Sequence, residues 1–334
     1  MVTPAPGDKA AAALPHPVVV IAGPTASGKS ALALAAAEAF AGTVINADSL
    51  QVYRELAILT ARPDAAAEAR VPHRLYGVLP AAERCSAGRW AALAAAAIRE
   101  AHAAGRLPIL VGGTGLYLRA LLDGLAPIPP VPEAALAEAR ARLAALGGAA
   151  FHAELARRDP ATAAGLRPSD PQRLARAWAV LAATGRPLAA WQAERAEPAL
   201  ALDPLLLLLE PERGTLYRAC DARFLRMLEA GALDEARALG ALGLDPSLPA
   251  MKAVGVRVLL DHLAGRIALA DAVAAAQQAT RNYAKRQLTW FRHQLPGAER
   301  LVPVSDGEKF SERFLADLFS KIRHFQLTRP GLLT

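Results

Sequence analysis

One octapeptide restricts this chain more than any other stretch: Gly23-Pro24-Thr25-Ala26-Ser27-Gly28-Lys29-Ser30, set between an apolar run at 18–22 and an alanine-rich run at 31–40. It fits G-x-x-x-x-G-K-[ST], a phosphate-binding loop. A buried strand ends, glycines let the backbone curl so that its N–H groups converge, and a helix N-terminus adds positive potential for a polyphosphate. Lys29 would reach the outer phosphate and Ser30 would ligate Mg²⁺. The chain holds six lysines against 32 arginines, so composition alone does not supply a lysine at that position.

The loop predicts its surroundings. A strand at 18–22, a helix at 30–40, strands at 43–47 and 108–111 and a helix at 87–104 alternate as in a parallel sheet covered by helices. Gly112-Gly113-Thr114-Gly115 closes the third strand, and a helix follows to 122. Four prolines in 127–132 mark a boundary. From 133 to 198 the pattern is helical with turns, and the leucine run 205–209 resumes the buried-strand signature. The expected fold is therefore α/β, a P-loop NTPase-like parallel sheet core flanked by helices with an inserted all-helical domain. The core occupies 16–126 and 201–300, the insertion 127–200, and a tail 301–334 carries one helix at 312–325 with no chemical signal. Further helices are read at 215–231, 233–242, 254–265 and 271–293.

Composition removes several classes. With 334 residues and 53% hydrophobic content the chain can bury a large core, yet no uninterrupted apolar run approaches the ~20 residues of a membrane span. Residues 1–15 show no targeting signal, so a cytoplasmic location is expected. Cys85 and Cys220 are far apart, which excludes a disulfide framework or thiolate cluster and reads as two buried small residues. The net charge of +7 invites a polyanion. Most of the excess is local: 250–293 holds seven Lys or Arg against two Asp.

Asp48 stands just past the second strand, the one expected beside the phosphate loop. It reads either as a general base facing whatever the loop holds or as the N-cap of a short helical turn. Glu210 ends the leucine strand and reads as a solvated strand-end glutamate. The helix 271–293 carries Arg281, Lys285 and Arg292 on one face with Arg286 beside them; Tyr283, Gln287 and Trp290 fall on an adjoining face. Such interleaving suits a phosphate backbone with nearby bases, or a helix docked by its aromatics with solvated cations. Gln172, Arg173 and Arg176, and the loop with Lys252 and Arg257, add cations next to turns.

Taken together the residues resemble the tRNA dimethylallyltransferases. The pieces run in family order: the octapeptide, Asp-Ser-Leu-Gln-Val-Tyr-Arg at 48–54, Pro-His-Arg-Leu at 72–75, Val-Gly-Gly-Thr-Gly-Leu-Tyr at 111–117, Asp-Pro-Gln-Arg at 170–173 and Thr-Arg-Asn-Tyr-Ala-Lys-Arg-Gln-Leu-Thr-Trp-Phe-Arg at 280–292. The resemblance implies transfer of a dimethylallyl group from its diphosphate to N6 of the adenosine 3′ of the anticodon, position 37, by a monomer that uses Mg²⁺ and grips the anticodon stem-loop. It implies Asp48, Thr25, Lys29 and Arg223 as catalytic residues, with Asp48 the base. Gly23, Pro24, Thr25, Ala26, Ser27, Gly28, Lys29 and Ser30 would hold diphosphate, Ser30 with the metal. Asp48, Ser49, Leu50, Gln51, Thr114, Gln172, Arg173, Arg176, Lys252, Gly255, Arg257, Arg281, Lys285, Arg286 and Arg292 would contact tRNA, and the insertion would be a tRNA-binding domain. The chain departs from the family pattern at Leu59, Cys85, Ala219 and Val256, none of them in the loop, at Asp48 or in 280–292. A small-molecule phosphotransferase would explain 18–122 alone; a non-catalytic tRNA-binding protein would leave the loop without use.

Overall fold

Strands covered on both faces carry continuous Val, Ile and Leu rather than alternation, and the central strands here obey that rule. The computed structural model describes residues 15–194, 197–303, 305–306 and 309–329. Residues 1–14, on which the expectation about a targeting signal falls, and 330–334 of the tail lie outside the described residues. The elements are β1 (His16–Ala22), α1 (Lys29–Ala39), β2 (Gly42–Asn46), α2 (Ala65–Arg70), β3 (His73–Arg74), α3 (Ala87–Ala103), β4 (Leu107–Gly112), α4 (Gly115–Leu122), α5 (Glu133–Arg158), α6 (Pro160–Ala164), α7 (Pro171–Thr184), α8 (Leu188–Gln192), β5 (Leu202–Leu209), α9 (Arg213–Glu229), α10 (Ala232–Ala241), α11 (Val256–Leu263), α12 (Leu269–Gln294), β6 (Glu299–Leu301), β7 (Ser305–Asp306), β8 (Lys309–Phe310) and α13 (Glu312–Leu327).

Two compact units result, 1–122 with 199–334, and 123–198, against the 127–200 read from sequence for the insertion. In the first, six parallel strands pair in the order β3-β2-β4-β1-β5-β6. One face of the sheet packs on Trp90, Ile98, Leu118 and Phe291. The other packs on Leu32, Ala36, Leu318 and Ile322. This order corrects one expectation, because β4 and not β2 lies beside β1. The strands β3 and β6 were not legible either; they are two and three residues long and lack an apolar run. β6, at the end of the core span, extends the sheet, and the tail is richer than one helix, since β7 pairs antiparallel with β8.

The second unit has its own core of Phe151, Leu155, Leu174 and Trp178. The ring of Trp178 lies 5.2 Å from that of Phe151 and takes the Arg158 guanidinium at 4.6 Å from its centroid. Asp159 and Asp170 accept the backbone N–H groups of Thr162 and Arg173, and Pro160 and Pro171 follow as first helical residues. Both α6 and α7 thus begin on a capped, proline-preset turn. The α5 run breaks at Gly147, whose φ of 75° glycine tolerates.

A carboxylate fixes the loop that leads from β2 toward α2. Glu235 on α10 accepts three successive N–H groups, from Ala57 at 2.8 Å, Ile58 at 2.7 Å and Leu59 at 2.8 Å. Gln51 holds the same loop from the other side through the carbonyls of Thr60 and Ala61. Glu235→Ala would strand three donors and should cost about 2–4 kcal/mol, with Glu235→Gln milder; urea denaturation measures the difference, and equal stability of all three would show that the clamp contributes nothing.

Candidate active site

The phosphate loop leaves β1 at Gly23 and enters α1 at Lys29. Ala26 and Gly28 take left-handed backbone at φ 62° and 86°, which turns the chain back on itself. A side chain at Gly23 would approach the Ser27 hydroxyl to 2.9 Å, so the loop closes only on glycine there. Ser27 Oγ is buried with no hydrogen-bond partner among the described residues, and α1 begins with no side-chain cap. A buried orphan hydroxyl and uncapped first-turn N–H groups fit an anion. Phe310, at the end of the β7–β8 hairpin, packs against this loop at the position a Gly28 Cβ would need.

Asp48 reaches the loop although its strand is not the neighbour of β1. Ala47 N–H bonds to Val111 O at 2.8 Å and Thr114 N–H returns to Ala47 O at 3.2 Å, so the end of β2 folds over the end of β4. A Cβ at Gly112 would lie 2.1 Å from Ala47 O, and only glycine permits the crossing. Asn46, fully buried, builds the turn: its Oδ1 accepts Asp48 N–H at 2.8 Å, and its Nδ2 donates to Asp48 O and Leu75 O at 3.0 Å. Asp48 Oδ1 accepts Leu50 N–H at 2.9 Å. No helix follows, but the side chain does cap a short turn, and the same carboxylate lines the cavity described next.

Asp48 lines a cavity together with the polar groups of Thr25, Arg223, Cys220 and Tyr283 and the apolar side chains of Leu50, Leu59, Phe224 and Met227. Burial lowers the Lys29 ammonium to about 8, against the Asp48 carboxylate, which favours the charge, and with Arg223, which opposes it. Arg223 is likewise pulled down by burial while Asp48 favours its charge. Burial drives the Tyr283 phenol up, Asp48 adds to the shift, and its hydrogen bond with Thr114 opposes it. Cys220 is buried, as expected, with its thiol raised; Cys85 is only half-buried.

Helix α12 seals the site. Gln287, buried, accepts Thr25 N–H on Oε1 at 2.8 Å and donates from Nε2 to Gly113 O at 2.9 Å. Trp290 lies where a Gly115 side chain would stand. Arg292 pairs with Glu210 at the end of β5, Nε to Oε1 at 2.7 Å. The reading of Glu210 as solvated is therefore corrected: its side chain is 15% exposed and also faces Arg300.

With this geometry in place, the comparisons are specific. Residues 51–294 match the family described as IPP transferase, and 16–81 match that described as isopentenyl transferase. The chain belongs to the tRNA dimethylallyltransferase family. It is 64% identical over 289 residues to the tRNA dimethylallyltransferase of Rhodospirillum centenum, covering 86% of this chain and 92% of that one. With the Rhodospirillum rubrum protein of the same name identity is 57% over 313 residues, covering 93% and 96%. Among solved structures, the Bacillus halodurans tRNA isopentenylpyrophosphate transferase superposes with a TM-score of 0.67 at 31% identity, covering 93% and 96% of the two chains. A eukaryotic dimethylallyltransferase acting on tRNA gives 0.74 at 26% identity, covering 93% and 78%.

The candidate residues read from the sequence fall into distinct places. Thr25, Asp48, Leu50 and Arg223 share the cavity. Ser49 and Thr114 bond each other beside it, and Gln51 is engaged in holding the loop behind. Arg281 pairs with Asp221 at 2.5 Å and Arg292 with Glu210, whereas Lys285 and Arg286 are exposed, Arg286 also resting on the Tyr283 ring. Lys252 and Arg257 are exposed around buried Gly255. Gln172, Arg173 and Arg176 are exposed on α7 of the second unit, Arg173 paired with Asp170. Sequence reasoning missed Asn46, and Gln287 as a site residue; for Asn46 the signal available was a polar amide inside an otherwise buried run.

Lys29 generates a pH prediction. Its charged form is populated below about 8 and lost as pH rises through that value, and an anion binds the charged form. The ratio of inorganic diphosphate affinity between the wild type and Lys29→Arg, in which the ligand's own protonation cancels, should be flat below that pH and fall up to tenfold per unit above it, by titration calorimetry. Lys29→Arg, which does not titrate there, is the reference; an identical profile in both would remove Lys29 from the anion site.

Proposed function

We propose that this protein transfers the dimethylallyl group of dimethylallyl diphosphate to N6 of the adenosine 3′ of the anticodon, position 37 of tRNA, acting as a cytoplasmic monomer. Among the described residues no helix is long and apolar enough to cross a membrane. The observation that carries the reading is the cavity in which one carboxylate, the half-buried Arg223 guanidinium and an apolar wall meet beside the phosphate-loop residue Thr25. A kinase needs the loop but not the apolar wall.

The donor would set its diphosphate on the loop, near Lys29 and Arg223, and its tail against Leu50, Leu59, Phe224 and Met227. The target adenine would leave its stack to enter. The C1–O bond breaks with its electron pair departing on diphosphate, the N6–C1 bond forms, and the N6 proton passes to Asp48. An aromatic amine is a weak nucleophile, so proton removal and leaving-group stabilisation carry the rate. Lys29 and Arg223, held charged by the incoming anion, need no reorganisation as charge develops on the leaving group.

For Mg²⁺ the chain offers the exposed Ser30 hydroxyl on the first turn of α1. Among the described residues no cluster of three His, Cys, Asp or Glu could hold a metal. That donor set fits an ion bound chiefly through substrate phosphates and water. When present, the ion would spread negative charge from the departing diphosphate. The exposed Lys285 and Arg286 suit the tRNA backbone.

Asp48→Asn keeps size and the Leu50 turn bond but not basicity. It should slow single-turnover transfer by about 10²–10⁴-fold with donor and tRNA affinity kept, measured by mass spectrometry of tRNA nucleosides. Wild-type turnover in the folded variant would exclude Asp48 as base. Replacing Lys285 and Arg286 together by Ala should reduce the log–log salt slope of tRNA binding by roughly 1.5–2; an unchanged slope would exclude both from the interface.

A further inference from the structure

Two cavities meet at a wall. The first is the cavity described above; the second is a larger, more open groove behind the 57–63 loop. Arg223 and Met227, one turn apart on α9, line both. The loop between them is shared out: Leu59 and Thr60 line the first cavity, while Ala57, Ile58 and Ala61 line the groove. Leu59 and Met227 are therefore what separates the two spaces, and both are more than nine-tenths buried.

The wall is stiff. Leu59 cannot retreat with its backbone, because its own N–H and those of Ala57 and Ile58 are held by Glu235. Its side chain is backed by Gly255, where a Cβ would come to 3.4 Å from Leu59 Cδ2 and 3.0 Å from the Phe224 ring. The groove beyond offers a hydrocarbon the apolar lining of Ala57, Ile58, Ala61, Pro63 and Ala230, beside the charged Arg62, Asp64, Glu68 and Arg226.

We propose that Leu59 and Met227 set the length of the prenyl donor, stopping the chain at one isoprene unit. The inference rests on the reading that the first cavity receives the allyl tail. A diphosphate near Arg223 directs that tail along α9 toward Met227, about 6 Å further on at 1.5 Å per residue, which one isoprene unit fills. A second unit must pass through the wall into the groove. The bond changes at C1, N6 and the diphosphate oxygen are the same for either donor; only the room for the tail differs. Both residues are specificity determinants and neither touches the reacting atoms.

The test compares dimethylallyl with geranyl diphosphate as donors to tRNA, reading the prenylated nucleoside by mass spectrometry. The wild type should prefer the five-carbon donor by at least about 100-fold in kcat/KM, and Leu59→Ala and Met227→Ala should each narrow that ratio by about tenfold or more. The ratio is taken on one preparation, so a partly unfolded variant does not distort it, and Met227→Ala decides if Leu59→Ala fails to fold. An unchanged ratio in folded Met227→Ala, or a wild type that takes both donors equally, overturns the proposal. A wild type that transfers neither group would instead overturn the reading of the cavity on which it stands.

Discussion

The side-chain amide of Gln287 accepts the Thr25 N–H and donates to the Gly113 carbonyl, and the ends of β1 and β4 are tied to α12 through that one group. An amide can do both at once from two separate atoms, whereas a carboxylate has no proton to donate and an ammonium no lone pair to accept. Buried as it is, each bond replaces an otherwise unmet polar group. Because Thr25 N–H is already engaged, the anion is left to the N–H groups further along the loop and to α1. Helix α12 then brings Tyr283, Trp290 and Arg292 to the same edge of the sheet, over β4 and β5.

That edge is assembled by absence as much as by contact. Gly112, Gly113 and Gly115 each occupy a place where a Cβ would lie 2.1 Å from Ala47 O, Gln287 Nε2 or the Trp290 ring. Their lack of side chains lets β2 cross β4 and lets α12 approach. A second strand removed from β1 can thus still deliver its carboxylate to the phosphate loop. The position of Asp48 is a property of the turn as a whole, with Asn46 as its scaffold.

Much of this was legible because it is local. The loop residues 23–30, the buried runs and the helical insertion each announce themselves within a window of a few residues, through glycine placement, apolar continuity or a proline-preset cap. What was not legible depends on strand order. Nothing within 43–48 says that β4 intervenes before β1, and nothing near 210 says that Arg292, 82 positions later, will cover that glutamate. The cations of α12 show the same limit: helical periodicity puts Arg281, Lys285 and Arg292 on one face, but only tertiary partners separate the paired Arg281 and Arg292 from exposed Lys285. Short strands such as β3 and β6 exist because a neighbour offers an edge, so their own residues carry little sign of them.

The pairing of β1 with β5 has a consequence for how the chain comes to be folded. His16 to Ala22 lie in register with Leu202 to Leu208, so the central strand waits for a partner made long after it on the ribosome. Until then its backbone is an open apolar edge, the kind that recruits other chains. The sequence between includes 123–198, which has a core of its own and can therefore fold while the sheet is unfinished. Synthesis order thus makes closure of the β1–β5 ladder a late event of long sequence separation, and slow closure of that kind leaves the nascent sheet exposed to aggregation.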